Sequence, residues 1–160
     1  MFYNYGYLRV LVTKDAPQQH FVTMKSNPWP GGGPGKPAVL VVDDDPSLQQ
    51  TMRMLLQSSF DVTTAGSVDE ALDAIVQSRP EAVIMDLTMP NKDGIQGLKE
   101  ICPAHPDLPV MILTGYADDL TVSEAIDLGA YALMRKPFDL VELVTTVTEM
   151  TQLRDTSAVA

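Results

Sequence analysis

Four apolar runs in this chain end on residues that can do chemistry. VLVV at 39–42 gives way to Asp43, Asp44 and Asp45, AVIM at 82–85 to Asp86, and VMIL at 110–113 to Thr114, while Tyr131 to Met134 is followed two residues on by Lys136. Carboxylates drawn together either hold their protons more tightly or recruit a cation. An all-oxygen set with few protein ligands and room for water suits Mg2+ or Mn2+. A hydroxyl and a lysine ammonium beside such a cation would receive an anion with several oxygens, and a phosphoryl group fits that description. Asp45 has a separate use, because with Pro46 after it a carboxylate is placed to cap a helix N-terminus.

Bringing these residues together requires particular elements, and the patterning supplies them. Ala38 to Val42 has the length and apolarity of a buried strand, and Pro46 to Ser58 is an amphipathic helix with Leu48, Met52, Leu55 and Leu56 on one face. Phe60 to Ala65 is the second strand. Ser67, with Glu70 three residues on, forms a capping box for a helix that turns Ala71, Leu72, Ile75 and Val76 inward. Val83 to Asp86 is the third strand, Gly94 to Ile101 a short helix, Cys102 to Pro109 a Pro-rich turn, and Val110 to Leu113 the fourth strand. Asp118 to Leu128 gives the fourth helix and Tyr131 to Met134 the fifth strand, and Asp139 with Glu142 opens a last helix running to about Leu153. Asp93, Asp118 and Asp119 are assigned to turns and caps.

Strict alternation of strand and helix, with strands apolar throughout, predicts an α/β fold: a doubly wound five-stranded parallel sheet with helices on both faces. Right-handed crossovers then require the strand order to reverse somewhere, and ligands bind beyond the C-terminal strand ends at that reversal. In the order 2-1-3-4-5 the first and third strands are neighbours about 4.8 Å apart. Asp43, Asp44 and Asp86 would then share one crevice.

Composition bounds the rest. The chain has 160 residues, 45% hydrophobic and 20% charged, enough for one domain with a proper core. Its net charge is −10, yet residues 1–36 carry a balance of +3, which leaves −13 for the remainder and disfavours direct contact with nucleic acid. PWPGGGPGKP at 28–37 has Pro or Gly at eight of ten positions, a linker composition. The expected organisation is a flexible N-terminal extension and linker over 1–36, with one short strand at Leu8 to Val12, a domain over 37–153, and a tail over 154–160. Translation beginning at Met24 is the alternative for the extension. One cysteine, Cys102, rules out an internal disulfide. No apolar run approaches a membrane span and the N-terminus lacks a secretory pattern, so a cytoplasmic protein without membrane contact is expected.

VVDDDP, MDLTMPNKDG, ILTG and KPF, in this order and with these separations, resemble the receiver domain of two-component response regulators over roughly residues 37–153. Each motif alone is weak, whereas four at successive strand ends are specific. The resemblance implies that Asp86 is the phosphoacceptor for a sensor histidine kinase or a histidine phosphotransfer protein. It implies that Asp43, Asp44, Asp86 and the backbone carbonyl of Thr88 hold Mg2+, and that Thr114 and Lys136 contact the phosphoryl oxygens. It also implies a cis bond between Lys136 and Pro137, tuning of phosphoryl lifetime by Thr88 and Tyr116, and homodimerisation through the fourth and fifth helices. One departure stands out: the position three before Lys136, often aromatic in receivers, is Leu133, with Tyr131 two residues earlier. Few residues follow the last helix, so a stand-alone receiver, catalysing only its own phosphorylation and dephosphorylation, is the expectation.

Three other classes are weighed against it, one of them a flavin-binding module of similar topology, whose phosphate Asp43 to Asp45 would repel. A haloacid-dehalogenase-type phosphatase would use Asp43 and Asp45, but it lacks the acidic pair expected beyond the lysine and leaves Asp86 without a role. A pseudo-receiver scaffold would need none of the site residues, and all five positions are present.

Overall fold

The computed structural model describes residues 35–155, except for the side chains of the last two. The expected strand at Leu8 to Val12, most of the Pro/Gly linker and the final five residues lie outside the described residues. Ten elements alternate as the patterning predicts: β1 (Ala38–Val42), α1 (Pro46–Leu56), β2 (Asp61–Ala65), α2 (Val68–Ser78), β3 (Ala82–Asp86), α3 (Gly94–Ala104), β4 (Val110–Thr114), α4 (Asp119–Asp127), β5 (Ala132–Arg135) and α5 (Leu140–Asp155). The strands form one parallel sheet in the order β2-β1-β3-β4-β5. No described helix is long and apolar enough to cross a membrane.

The period of two along each strand divides the core into two layers. Val39, Val41, Ile84, Met111 and Met134 face α1 and α5, where they meet Met52, Leu56, Leu143, Val147 and Met150. Leu40, Val42, Val83, Met85, Ile112 and Leu133 face the other way, against Val68, Ala71 and Ile75 of α2, Leu98 and Ile101 of α3 and Ala125 of α4. Double burial explains why the strands read as continuous apolar runs rather than as alternating ones.

Side-chain caps set the helix starts. Asp45 accepts from Ser47 N, Ser67 from Glu70 N, Asp93 from Gln96 N and Asp118 from Thr121 N. The reciprocal arm of the Ser67–Glu70 box lands one residue early, with Glu70 Oε2 accepting from Gly66 N at 2.7 Å. Asp139 caps α5 as expected, accepting from Val141 N and Glu142 N.

Several boundaries differ from the sequence reading. α3 runs through Cys102 and Pro103 to Ala104, because a proline in the last turn forfeits one hydrogen bond while His105 N still donates to Ile101 O at 2.8 Å. α1 stops at Leu56, where Ser59 N and Phe60 N both donate to the Leu56 carbonyl. Phe60 therefore lies in the turn, yet its ring is buried in the α1/α5 layer. Leu48 and Val76, expected to face inward, are exposed. Leu48 stands in the first turn of α1, at the rim of the sheet, and Val76 is turned about 100° from the buried Ile75.

Candidate functional site at the strand ends

Register places the chemistry. Val42 pairs with Met85, so the next residues, Asp43 and Asp86, face one another across β1 and β3. Asp86 pairs with Leu113, which puts Thr114 one step beyond it on β4, and Thr114 pairs with Arg135, one residue before Lys136. The ladder continues past the strand ends through Asp43 N to Ala65 O, Leu87 N to Leu113 O and Lys136 N to Thr114 O. These bonds fix the backbone under the acids.

Asp43, Asp86 and Lys136 come together. Lys136 Nζ lies 2.6 Å from Asp86 Oδ1 and 3.9 Å from Asp43 Oδ2. Asp86 is 8% exposed and Asp43 5%, which removes most of their solvent. The second oxygen of Asp86 accepts from Thr88 N at 3.0 Å, and Asp43 Oδ1 accepts from Asp45 N at 2.9 Å. Each carboxylate is thereby held in one orientation by a backbone donor two residues on. The Lys136–Pro137 bond is cis, as the resemblance implies.

Asp44 stands at the exposed flank of this group, and the Thr114 hydroxyl is engaged elsewhere. Asp44 is exposed. Thr114 is buried, but its Oγ1 donates to Tyr116 O at 2.6 Å and accepts from Tyr116 N at 3.1 Å, so the hydroxyl belongs to the loop between β4 and α4. Tyr116 itself points into solvent.

Two supporting residues were not singled out from the sequence. Gln49 Nε2, on α1, donates to the Asp43 carbonyl at 2.7 Å and sits 3.4 Å from the Ala65 carbonyl, tying the ends of β1 and β2 together. The available signal was its position one helical turn after the Asp45 cap. Arg135, whose Nη2 donates to Ala117 O at 3.2 Å, breaks the apolar run of the fifth strand immediately before Lys136.

Gly94 sets the loop after Asp86. Its N–H donates to Leu87 O, and a Cβ there would lie 2.8 Å from Asp86 O and 2.9 Å from Leu87 Cα. Both contacts are backbone, so Gly94→Ala must push the loop after Asp86 away from α3. The expected cost is about 1–3 kcal/mol in urea unfolding, as for other overpacked sites. An unchanged midpoint would show that the loop yields freely. Lys92 adds an exposed fastening, with Asp69 at 2.6 Å and Glu100 at 3.2 Å.

Electrostatically the crevice holds more acid than base. Burial raises the Asp43 carboxyl above the usual aspartate range; the Asp45 N–H opposes this, Asp86 adds to it, Lys136 opposes it, and Asp44 adds a smaller push. Among the described residues no three acidic, His or Cys side chains are grouped to hold an ion together. Mg2+ needs fewer, since it is ordinarily bound through one or two carboxylates, retained water and a substrate phosphate. Asp43 and Asp86, two buried carboxylates with one lysine between them, fit that requirement.

Comparison with known proteins agrees with this geometry. A family model described as the response regulator receiver domain matches residues 39–148. The DNA-binding transcriptional regulator NtrC of Klebsiella pneumoniae is 38% identical over 108 residues, which cover 67% of this chain and 23% of that regulator. The response regulator MprA of a Mycobacterium species, strain KMS, is 35% identical over 120 residues, covering 74% of this chain and 51% of MprA. The chain thus spans about a quarter to a half of the length of these relatives. Among solved structures, a response regulator receiver domain protein from Clostridium thermocellum superposes with a TM-score of 0.69 at 30% identity, covering 72% of this chain and 94% of that one. With the sheet order, Asp43 facing Asp86 and the matched span all agreeing, this chain belongs to the response regulator receiver domain family of two-component signalling.

Proposed function

We propose that this domain accepts a phosphoryl group on Asp86 from a phosphohistidine of a sensor histidine kinase or histidine phosphotransfer protein, and that the modification changes which partner it binds. One observation carries the proposal: Asp86, nearly buried at a strand end, has Lys136 at 2.6 Å on one oxygen and the Thr88 N–H at 3.0 Å on the other. A carboxylate oxygen of Asp86 attacks phosphorus, the P–N bond breaks, and its electron pair returns to the imidazole ring, giving an acyl phosphate and a free histidine. Such a transfer needs mostly alignment and charge neutralisation. Lys136 supplies a fixed positive charge, and the Thr88 N–H holds the carboxylate in one orientation.

Mg2+, or Mn2+ in its place, would be held by Asp43, Asp86 and the Thr88 carbonyl, with Asp44 at the exposed flank, and it would neutralise charge on the transferring phosphoryl oxygens. Gln49 holds the backbone of Asp43 in place for that role. Exposed Tyr116, Leu120 and Val141 leave the α4–α5 side free for a downstream partner or a second copy. A cytoplasmic setting follows from the phosphodonors this reading requires. The DNA-binding of the NtrC relative belongs to a far longer protein and is not transferred to this chain. The phosphatase alternative is weakened because Asp45, the second acid it needs, caps α1.

Intact mass after incubation with acetyl phosphate tests the reading. A single phosphoryl adduct that forms with Mg2+ and not with EDTA is expected. Protein-dependent release of phosphate with no adduct, under rapid quenching, would favour the phosphatase, and neither adduct nor release would favour the scaffold.

A further inference from the structure

Among the described residues one buried side-chain donor has no hydrogen-bond partner, the Nε of Arg135. Arg135 ends β5 two residues after Leu133, so it shares the face of the sheet that looks toward α4. Its Nη2 already donates to the Ala117 carbonyl at 3.2 Å. The adjacent carbonyl, that of Tyr116, takes the Thr114 hydroxyl at 2.6 Å. Two neighbouring carbonyls of the loop between β4 and α4 are therefore held by side chains from two different strands, and one of those side chains has a donor to spare. Leu133, buried in the core below, has no polar atom with which to contribute.

We infer that Arg135 is a positioning residue that captures this loop when Asp86 is phosphorylated: as the Thr114 hydroxyl turns to the phosphoryl oxygens, the Tyr116 carbonyl it leaves becomes the acceptor for Arg135 Nε–H. This rests on the phosphoacceptor reading of Asp86. The hydrogen-bond accounting favours it in both states. Before phosphorylation the Tyr116 and Ala117 carbonyls each take one side-chain donor and Arg135 Nε is orphaned, a costly condition for a buried donor. Afterwards the hydroxyl has a phosphoryl acceptor and the vacated carbonyl has the Nε–H, while the Tyr116 N–H, which had donated to the hydroxyl, is released beside the exposed Tyr116 side chain. The planar guanidinium suits the task because its N–H groups point in a fixed fork, able to serve two adjacent carbonyls. A lysine ammonium could reach one carbonyl without fixing the second.

The test is nitrogen-15 NMR of the full chain with and without beryllofluoride and Mg2+, followed on the arginine Nε–H signals and the backbone amides, for wild type and Arg135→Lys. The mimic is expected to shift the amides of Asp86, Thr88, Tyr116 and Ala117, to move the Arg135 Nε–H signal downfield and to slow its exchange with water. Arg135→Lys is expected to bind the mimic about threefold to tenfold more weakly, the worth of one hydrogen bond present only in the activated arrangement. The Ala117 contact is common to both states and cancels. If the Asp86 and Thr88 amides move while the Nε–H signal stays fixed, or if Arg135→Lys binds as wild type does, the role of Arg135 is overturned and the phosphoacceptor reading stands. If no amide responds to the mimic, the phosphoacceptor reading itself fails and takes this inference with it.

Discussion

Asp86→Ala is expected to take no phosphoryl group from acetyl phosphate under conditions that label the wild type fully. The effect should be complete rather than partial because no other acid at the strand ends is placed to substitute. Asp43 presents one oxygen to its own loop N–H and keeps Lys136 at 3.9 Å, Asp44 is exposed, and Asp45 is engaged with Ser47 N at the start of α1. A nucleophile must be aligned with the group that neutralises the charge it attacks, and of the strand-end acids Asp86 has Lys136 within hydrogen-bond distance, at 2.6 Å against 3.9 Å for Asp43. Folding should be little affected. The Lys136 side chain retains 28% of its exposure, so losing its partner leaves it partly solvated, and removing one of two facing carboxylates relieves repulsion. Urea unfolding of the variant is expected within about 1 kcal/mol of wild type, the range for partly exposed ion pairs. An adduct that persists in Asp86→Ala, mapped by peptide mass to another residue, would remove Asp86 from its proposed role.

The elements and their order were legible because a parallel sheet covered on both faces leaves an unambiguous trace. VLVV, AVIM and VMIL cannot sit half in water, and the alternation of such runs with capped amphipathic segments leaves few topologies. Caps were legible for a related reason: Asp45, Ser67, Asp118 and Asp139 act over two or three residues, within reach of local pattern. What escaped was set at longer range. Leu48 and Leu56 stand on the same stripe of α1, but only Leu56 lies over the sheet, and where a helix overhangs its sheet depends on the loop that delivers it. Phe60 reads as strand from its type, whereas the turn at Leu56 places it in the core without pairing.

The grouping at the strand ends was legible only in part, and its connections were not. That Asp43, Asp86 and Lys136 meet follows from strand order and register alone. That the Thr114 hydroxyl faces Tyr116 rather than the crevice, and that Gln49 and Arg135 hold backbone carbonyls, depends on side-chain rotamers and loop paths with no period to betray them. Arg135 did carry a signal, since a guanidinium at the end of a buried strand needs acceptors. Which carbonyl it would find was a matter of three-dimensional packing.

Asp43→Asn is expected to separate stability from function. Burial is the largest influence on the Asp43 carboxyl and raises its pKa, and Lys136, at 3.9 Å, ranks behind both the Asp45 N–H and the repulsion from Asp86. A raised carboxyl pKa means that the folded state binds the proton more tightly than the unfolded chain does. Stability therefore falls as pH rises from below the ordinary aspartate value through the raised one, and the penalty is fully present above the raised value. An asparagine keeps the oxygen that accepts from Asp45 N while removing the charge, so the variant should unfold at higher urea concentration than wild type, with an unchanged m-value, when no divalent ion is added. With Mg2+ the order should reverse in response, if not in rank. Binding to the folded state alone raises the wild-type midpoint, by RT ln(1 + [L]/Kd), while the variant, lacking one of two buried carboxylates, should not respond. Its rate of phosphorylation by acetyl phosphate should fall by at least about 100-fold, beyond the 10–100-fold typical of losing an outer-shell partner of a metal ligand. A variant less stable than wild type without Mg2+ would show that Lys136 outweighs burial at Asp43. A variant that still gains stability from Mg2+ would show that the ion does not depend on Asp43.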